Sequence, residues 1–204
     1  MKNLTLDQFT INTASDSPVP GGGSIAAVCG ALSASLTSMV ANLTVGKKKY
    51  ADVENEMIDI AQKSESIRQK MLDYIEEDCD AFNEVMDAFK LPKETEEEKS
   101  KRTNAIQDGL KKAASVPFEI AATAYEIMDL AEFVVLKGNS NAVTDGLISA
   151  MTARTAVLAA LLNVKINLDS LKDEVFVENL RKKVNTLEQD SISAEKRILD
   201  LVSL

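Results

Sequence analysis

The sequence predicts an all-α protein, a bundle of about five long helices, and three observations carry that expectation. Apolar residues recur at steps of three and four along most of the chain. No stretch alternates apolar and polar residues as a half-buried strand would, and capping signals with proline or glycine stops bound the periodic segments. No repeat of about 20 to 50 residues is visible, so residues 1–204 are expected to form a single helical domain.

The elements follow in order. A short amphipathic helix is expected from Thr5 to Thr13, with Leu6 and Phe9 inward. Ser17-Pro18-Val19-Pro20-Gly21-Gly22-Gly23-Ser24 then opens a segment with no charge before Lys47. Ser24 is expected to cap the helix that follows. From Ile25 the larger residues Val28, Leu32, Leu36, Met39, Val40 and Leu43 share one face of that helix. Ala27, Gly30, Ala34, Ser38, Ala41 and Asn42 lie opposite. Ser17 to Gly46 is long enough to span a bilayer, but its Ser, Thr, Asn and Gly content and small-residue face point to a buried helix in a soluble protein instead.

A long helix from Asp52 to Lys90 ends at Leu91-Pro92, because proline disfavours helix in the residue before it. At ~1.5 Å per residue it would reach about 58 Å, so it should protrude, bend or lie along a partner. Thr95 and Glu98 form a capping-box pair that starts the next helix, and Pro117 should kink or divide it before a stop at Gly138. Another weakly charged helix covers Val143 to Ile166, with Arg154 alone between Asp145 and Lys165. The last runs from Asp173 to Val202, with Leu180, Val184, Leu187, Ser191, Ala194, Ile198 and Leu201 at steps of four and three. Two weakly charged helices in a small bundle need burial from several sides. With the small-residue face and the long helix, that predicts an intertwined or extensively packed homodimer.

Composition narrows the function. A net charge of −9 argues against a nucleic-acid partner. The N-terminus lacks the apolar run of a signal peptide, and Cys29 and Cys79 lie among apolar residues as free thiols, so the expected location is the cytoplasm. The chain has no histidine, which removes the commonest acid–base group near neutral pH and leaves no zinc pattern; no metal is expected. The glycines fit neither the G-x-G-x-x-G order nor a phosphate loop.

Candidate residues remain. Gly21, Gly22 and Gly23 tolerate unusual backbone angles and would let a ligand approach a helix start that attracts carboxylates or phosphates, or they are only a loop entering a helix. Lys47, Lys48, Lys49 and Tyr50 could clamp an anionic tail or form a solvated turn. Asn42, Asn163 and Asn167 carry amides that need partners, and Asp145 near a helix start is either a dipole partner or a second polar group. On the long helix, Met57, Ile60, Ser64, Ile67, Met71, Tyr74, Asp78, Ala81, Val85 and Ala88 form one seam. Asp78 is its exception. A carboxyl there is a structural ion pair, a register-setting polar residue, or an acid–base group whose pKa burial has raised.

Together these residues resemble the cyclodeaminase/cyclohydrolase family, which includes the C-terminal half of formiminotransferase-cyclodeaminase and stand-alone bacterial relatives. The resemblance rests on Pro20-Gly21-Gly22-Gly23-Ser24, Val40-Ala41-Asn42-Leu43-Thr44, Gly46-Lys47-Lys48-Lys49-Tyr50 and Asp78-Cys79-Asp80-Ala81-Phe82. Leu91-Pro92-Lys93-Glu94-Thr95, Val116-Pro117, Gly138-Asn139, Thr144-Asp145 and Asn163-Val164 with Ile166-Asn167-Leu168 extend it over nearly the whole chain. Thr144 stands where serine is expected and keeps the hydroxyl. The resemblance implies a dimeric, all-helical enzyme acting on tetrahydrofolate one-carbon adducts, as a cyclodeaminase or a cyclohydrolase. The family's proton donor and acceptor matches Asp78. Gly21 to Ser24 and Asn42 are then expected to touch substrate, Lys47 to Tyr50 to meet the glutamate tail, polyglutamylated or not, and Asp145 to supply a second polar group. Folate is substrate in such an enzyme, so no cofactor is implied, and the formimino-transferring half has no counterpart in the sequence. A non-catalytic helical dimer, an adaptor or ligand carrier, is the competing expectation.

Overall fold

The computed structural model describes residues 1–203, so only Leu204 lies outside the described residues. Six α-helices, where about five were expected, make up the chain: α1 (Leu6–Thr13), α2 (Gly22–Asn42), α3 (Glu54–Lys90), α4 (Glu96–Lys137), α5 (Val143–Leu168) and α6 (Glu174–Leu199). Five are long, and the short α1 makes the sixth. Two 3₁₀ turns, Lys48–Val53 and Ser140–Ala142, precede α3 and α5, and no strand occurs among the described residues. Helices α2 and α4 pack on each other and each packs on both α3 and α5, and α6 lies over α4 and α5.

Local chemistry explains the boundaries. Thr5 with Gln8, and Thr95 with Glu98, each form a capping box that supplies partners to otherwise free N–H groups at the starts of α1 and α4. Pro117 does not divide α4, which runs unbroken for 42 residues. After α2, Gly46 adopts φ 76°, a left-handed conformation that suits glycine, and its N–H donates to Glu54 at 2.9 Å.

Helix α2 is apolar on both sides, and close approach decides which side turns in. Ala26, Ala27, Ala34 and Ala41 are buried, whereas Leu32, Met39 and Leu43 are exposed. The small-residue face therefore packs within the chain, and the large side chains point outward. At Gly30 an added Cβ would lie 2.8 Å from Met71 Sδ, so glycine sets how closely α3 crosses α2. Against α5, Ser33 Oγ donates to the Ser149 carbonyl and Ser149 Oγ to the Ser33 carbonyl, both at 2.8 Å, while Thr37 Oγ1 meets Ser149 Oγ at 2.7 Å. All three side chains are buried, so this reciprocal set fixes the register of the two helices; each bond contributes about 1 kcal/mol.

The α3 seam is buried from Met57 to Ala88 except at Asp78, which is half-buried, so this helix lies along α2 and α4 rather than projecting. Helices α2 and Ser140–Leu168 are each long and apolar enough to cross a membrane, and about half of each is buried against the other helices. A second apolar stripe, Ile148, Met151, Leu162 and Ile166 on α5, is exposed beside the outward face of α2.

Candidate active site

Where α2 begins, the α3 seam carries its one carboxylate. Ser24 is the third residue of α2 and not its cap; the cap position belongs to Gly21, which offers no side chain. Instead Ser24 Oγ donates to Asp78 Oδ2 at 2.9 Å, so the anion at this helix start is the chain's own. Cys79 Sγ lies 3.6 Å from the same hydroxyl. Burial pushes the Asp78 carboxyl above its ordinary range, and the Ser24 hydroxyl and backbone N–H oppose the rise without cancelling it. Burial likewise raises the Cys79 thiol, and both cysteines are free. Neighbouring Glu77 and Asp80 are exposed, and Glu76 accepts from the Lys2 N–H at 3.0 Å.

The glycines serve space rather than unusual angles, for none of the three has a positive φ. An added Cβ at Gly23 would sit 2.0 Å from Asp78 Oδ1, and one at Gly22 would sit 2.9 Å from Asn163 Nδ2. At Gly21 it would sit 3.1 Å from the Pro18 carbonyl oxygen. These glycines let α2 meet the carboxyl of Asp78 and the amide of Asn163 directly.

Between them opens a cleft of about 340 Å³, lined by Pro18, Val19, Gly21, Gly22, Gly23, Asp78, Ala81, Phe82, Val85, Ala113, Asn163, Ile166 and Asn167. Phe82, Val85 and Ile166 supply apolar walls suited to a flat ring system. The two asparagines give the opposing wall fixed polarity. Asn167 Nδ2 donates to the carbonyls of Ala113 and Asn163, both at 2.8 Å, which commits both its hydrogens and leaves its Oδ1 as an acceptor. Asn163 Nδ2 donates to the Ala159 carbonyl at 2.9 Å.

Pro117 explains one of these bonds. Having no N–H, it cannot serve the carbonyl four residues earlier, which is that of Ala113. Asn167 takes that orphaned carbonyl, so a helix irregularity in α4 anchors an amide of α5 at the cleft. Proline inside an apolar helix is the sequence signal for such a vacancy, but nothing local to α4 identifies the side chain that fills it.

The remaining candidates lie at the other end of α2, about 30 Å away for its 21 residues at ~1.5 Å each. Asn42 is exposed and donates to Ser38 Oγ at 3.2 Å. Lys47, Lys48 and Lys49 are exposed. The Tyr50 hydroxyl accepts from the Ser140 N–H at 3.0 Å and meets Ser140 Oγ at 3.2 Å. Those Ser140 donors, aided by Lys49, lower the Tyr50 phenol to about 8. Asp145 is partly buried in the first turn of α5, next to this group. Within one chain, then, Gly21, Gly22, Gly23, Ser24 and Asp78 meet, with Asn163 and Asn167 joining them. Asn42, Lys47, Lys48, Lys49, Tyr50 and Asp145 do not.

The chain is similar to known proteins of one family. Residues 5–186 match the family described as Formiminotransferase-cyclodeaminase. The chain is 40% identical over 200 residues to a methenyltetrahydrofolate cyclohydrolase of Methylorubrum extorquens, covering 98% of this chain and 96% of that protein. It is 33% identical over 189 residues to the formimidoyltransferase-cyclodeaminase of Rattus norvegicus, covering 93% of this chain but 35% of that relative, about a third of its length. The crystal structure of a formiminotetrahydrofolate cyclodeaminase from Thermotoga maritima superposes with a TM-score of 0.87 at 33% identity, over 97% of this chain and 94% of that one.

Proposed function

This chain belongs to the formiminotransferase-cyclodeaminase family, and from that premise we propose that it is an enzyme that opens or closes the methenyl bridge of tetrahydrofolate, with Asp78 as its acid–base group. The observation that carries the assignment is the Asp78 carboxyl, held against the start of α2 with its pKa raised by burial, at the floor of an apolar cleft. A carboxyl tuned upward accepts a proton more readily than a free one and can return it within the same reaction.

Hydrolysis of the methenyl bridge stands first, because the cyclohydrolase relative is 40% identical over 96% of its length, against 33% identity to the Thermotoga maritima cyclodeaminase. Water adds to the methenyl carbon, the bond from that carbon to N5 breaks, and a formyl group remains on N10. Asp78 takes a proton from the attacking water and returns it to N5, while the water's second proton goes to solvent. The ionised carboxylate also stabilises the cationic bridge before attack. Cyclodeamination uses the same positions, a reading favoured by the similarity to the Thermotoga maritima structure. N10 bonds to the formimino carbon, the bond to the departing nitrogen breaks, and Asp78 carries the N10 proton to the leaving ammonia.

The folate ring would lie between Phe82 and Ile166, with the Asn163 and Asn167 amide oxygens accepting from its N–H groups. The same reading makes the protein a cytoplasmic homodimer that pairs through the exposed apolar stripes of α2 and α5, which removes two membrane-like helix faces from water at once. Asp78→Asn tests the acid–base role. Turnover should fall by about 10²- to 10⁴-fold with the fold intact, and full turnover in a folded variant would end the assignment.

A further inference from the structure

Resting on the folate reading, we propose that Arg102 binds the glutamate carboxylates of the folate tail, where the α3–α4 seam runs out of the Asp78 cleft in the same chain. No lysine or arginine lines the cleft itself, yet the tail of a folate is anionic. Two helix stripes lead from the cleft to a cation. On α3, Asp78, Phe82, Val85 and Phe89 follow at steps of four, three and four, so they share one face. On α4, Ala113, Gly109, Ile106 and Arg102 follow at the same steps in the opposite direction. Both stripes begin in the cleft, at Asp78 and Ala113. Midway, an added Cβ at Gly109 would lie 3.2 Å from Val85 Cγ2, so the helices meet there with no α4 side chain standing between them. The stripes also end together, with the Arg102 guanidinium 5.6 Å from the centre of the Phe89 ring. Asp78 and Phe89 lie about 16 Å apart along α3, for 11 residues at ~1.5 Å each, a length of the order of a benzoyl ring with a glutamyl unit.

The state of Arg102 suits that role. Of the five arginines, Arg68, Arg154, Arg181 and Arg197 each pair with a carboxylate, whereas Arg102 pairs with none among the described residues. Its Nε and Nη2 donate to the Phe89 carbonyl at 3.2 and 3.1 Å. That carbonyl belongs to the last turn of α3, which has no helical donor for it, so the two bonds cap α3 and hold the guanidinium still. They use two of its five N–H donors and leave three for a carboxylate. Capping alone does not call for a charge, and a half-buried guanidinium already oriented on a ring binds a carboxylate at little ordering cost. Glu98, one turn earlier on α4, does not neutralise it, because its carboxylate accepts from the Glu94 and Thr95 N–H groups, each at 3.0 Å. In the α5–α6 cleft, by contrast, Arg181 and Lys165 pair with Asp169 and Glu188.

A substrate with its tail removed tests the inference. Wild type and Arg102→Gln, which keeps a donor for the Phe89 carbonyl, are assayed with whichever adduct the protein turns over, methenyl or formimino. Each adduct is supplied as the tetrahydrofolate and as the tetrahydropteroate, which lacks the glutamate, and thermal melts are run beside the kinetics. In Arg102→Gln the ratio of kcat/KM for folate over pteroate should fall by about 10- to 100-fold, carried by KM, the loss expected for a charge-assisted hydrogen bond. Arg102→Lys keeps the charge without the fork and should show a smaller fall; it serves alone if the glutamine variant does not fold. An unchanged ratio in a folded variant, even with both rates reduced, marks Arg102 as a cap only, overturning the proposal and leaving the folate reading standing. So does a fall in the ratio that comes from Arg181→Gln or K47Q/K48Q/K49Q and not from Arg102→Gln. A wild type that turns over neither adduct overturns both.

Discussion

Replacing Gly23 by alanine should separate activity from stability. A Cβ at this position would lie 2.0 Å from Asp78 Oδ1, 2.6 Å from its Cγ and 2.8 Å from Oδ2, whereas ordinary contacts begin at 3.4 Å. The carboxyl must therefore retreat by about 1.4 Å, the difference between 3.4 and 2.0 Å, which breaks its 2.9 Å bond with Ser24. Misplacing a reacting group by ~1 Å costs about 10²-fold in rate, or about 2.7 kcal/mol of barrier. Stability should barely move. Alanine in place of glycine within a helix gains about 0.5–1 kcal/mol, and losing one hydrogen bond costs about 0.5–1.5 kcal/mol. For a chain of this size the balance corresponds to a Tm change within about 4 °C. Steady-state kinetics beside a thermal melt check both halves. Full kcat in Gly23→Ala would refute the placement of Asp78 as the source of the rate, and activity loss accompanied by collapse of the melt would refute the separation.

Other consequences are independent of that one. Since burial raises the Asp78 pKa, the folded chain binds this proton more tightly than the unfolded chain does. Asp78 therefore costs stability as pH rises from its ordinary value near ~3.9 through its raised folded value. Asp78→Asn should melt above wild type at neutral pH, with the gap closing as pH falls through that window; a variant that melts lower at neutral pH contradicts the burial argument. Asn167→Ala should destabilise by about 1–3 kcal/mol in denaturant, because it strands the Ala113 carbonyl. In a Pro117→Ala background the new N–H can take that carbonyl and the loss should shrink; equal losses in both backgrounds would disprove the coupling. Leu32→Glu with Leu162→Glu places charge on the exposed stripes and should yield a folded monomer by sedimentation. An unchanged dimer would put the interface elsewhere.

How much of this was legible in the sequence depends on whether the signal was local. The α3 seam was readable residue by residue, because its period of three and four is strict and its opposite face is charged, and Asp78 stood out as the one carboxyl on it. The Thr95–Glu98 capping box was readable for the same reason. Helix α2 was not, since a helix apolar on both faces carries no directional signal; only packing against Met71 and Ser149 turns its small side inward. For the glycines the sequence offers unusual backbone angles or close approach, and only the second finds a counterpart in the structure. Their need for space arises from Asp78 and Asn163, which are distant in sequence. Pro117 reads as a kink or a division because its missing N–H is visible in the sequence and its remedy, Asn167 on another helix, is not. Lys47 to Tyr50 looked contiguous with Gly21 to Ser24 because the chain lists them in one segment, whereas a helix between two motifs holds them apart by its own length.

The central claim is that this protein acts at the methenyl carbon of tetrahydrofolate. Purified protein should be mixed with methenyltetrahydrofolate and, separately, with 5-formiminotetrahydrofolate, while the methenyl chromophore and released ammonia are followed. The account predicts accelerated loss of the chromophore in the first mixture or its accelerated appearance with ammonia in the second, abolished in either case by Asp78→Asn. No acceleration in both mixtures, by a protein that is folded and dimeric, would contradict it.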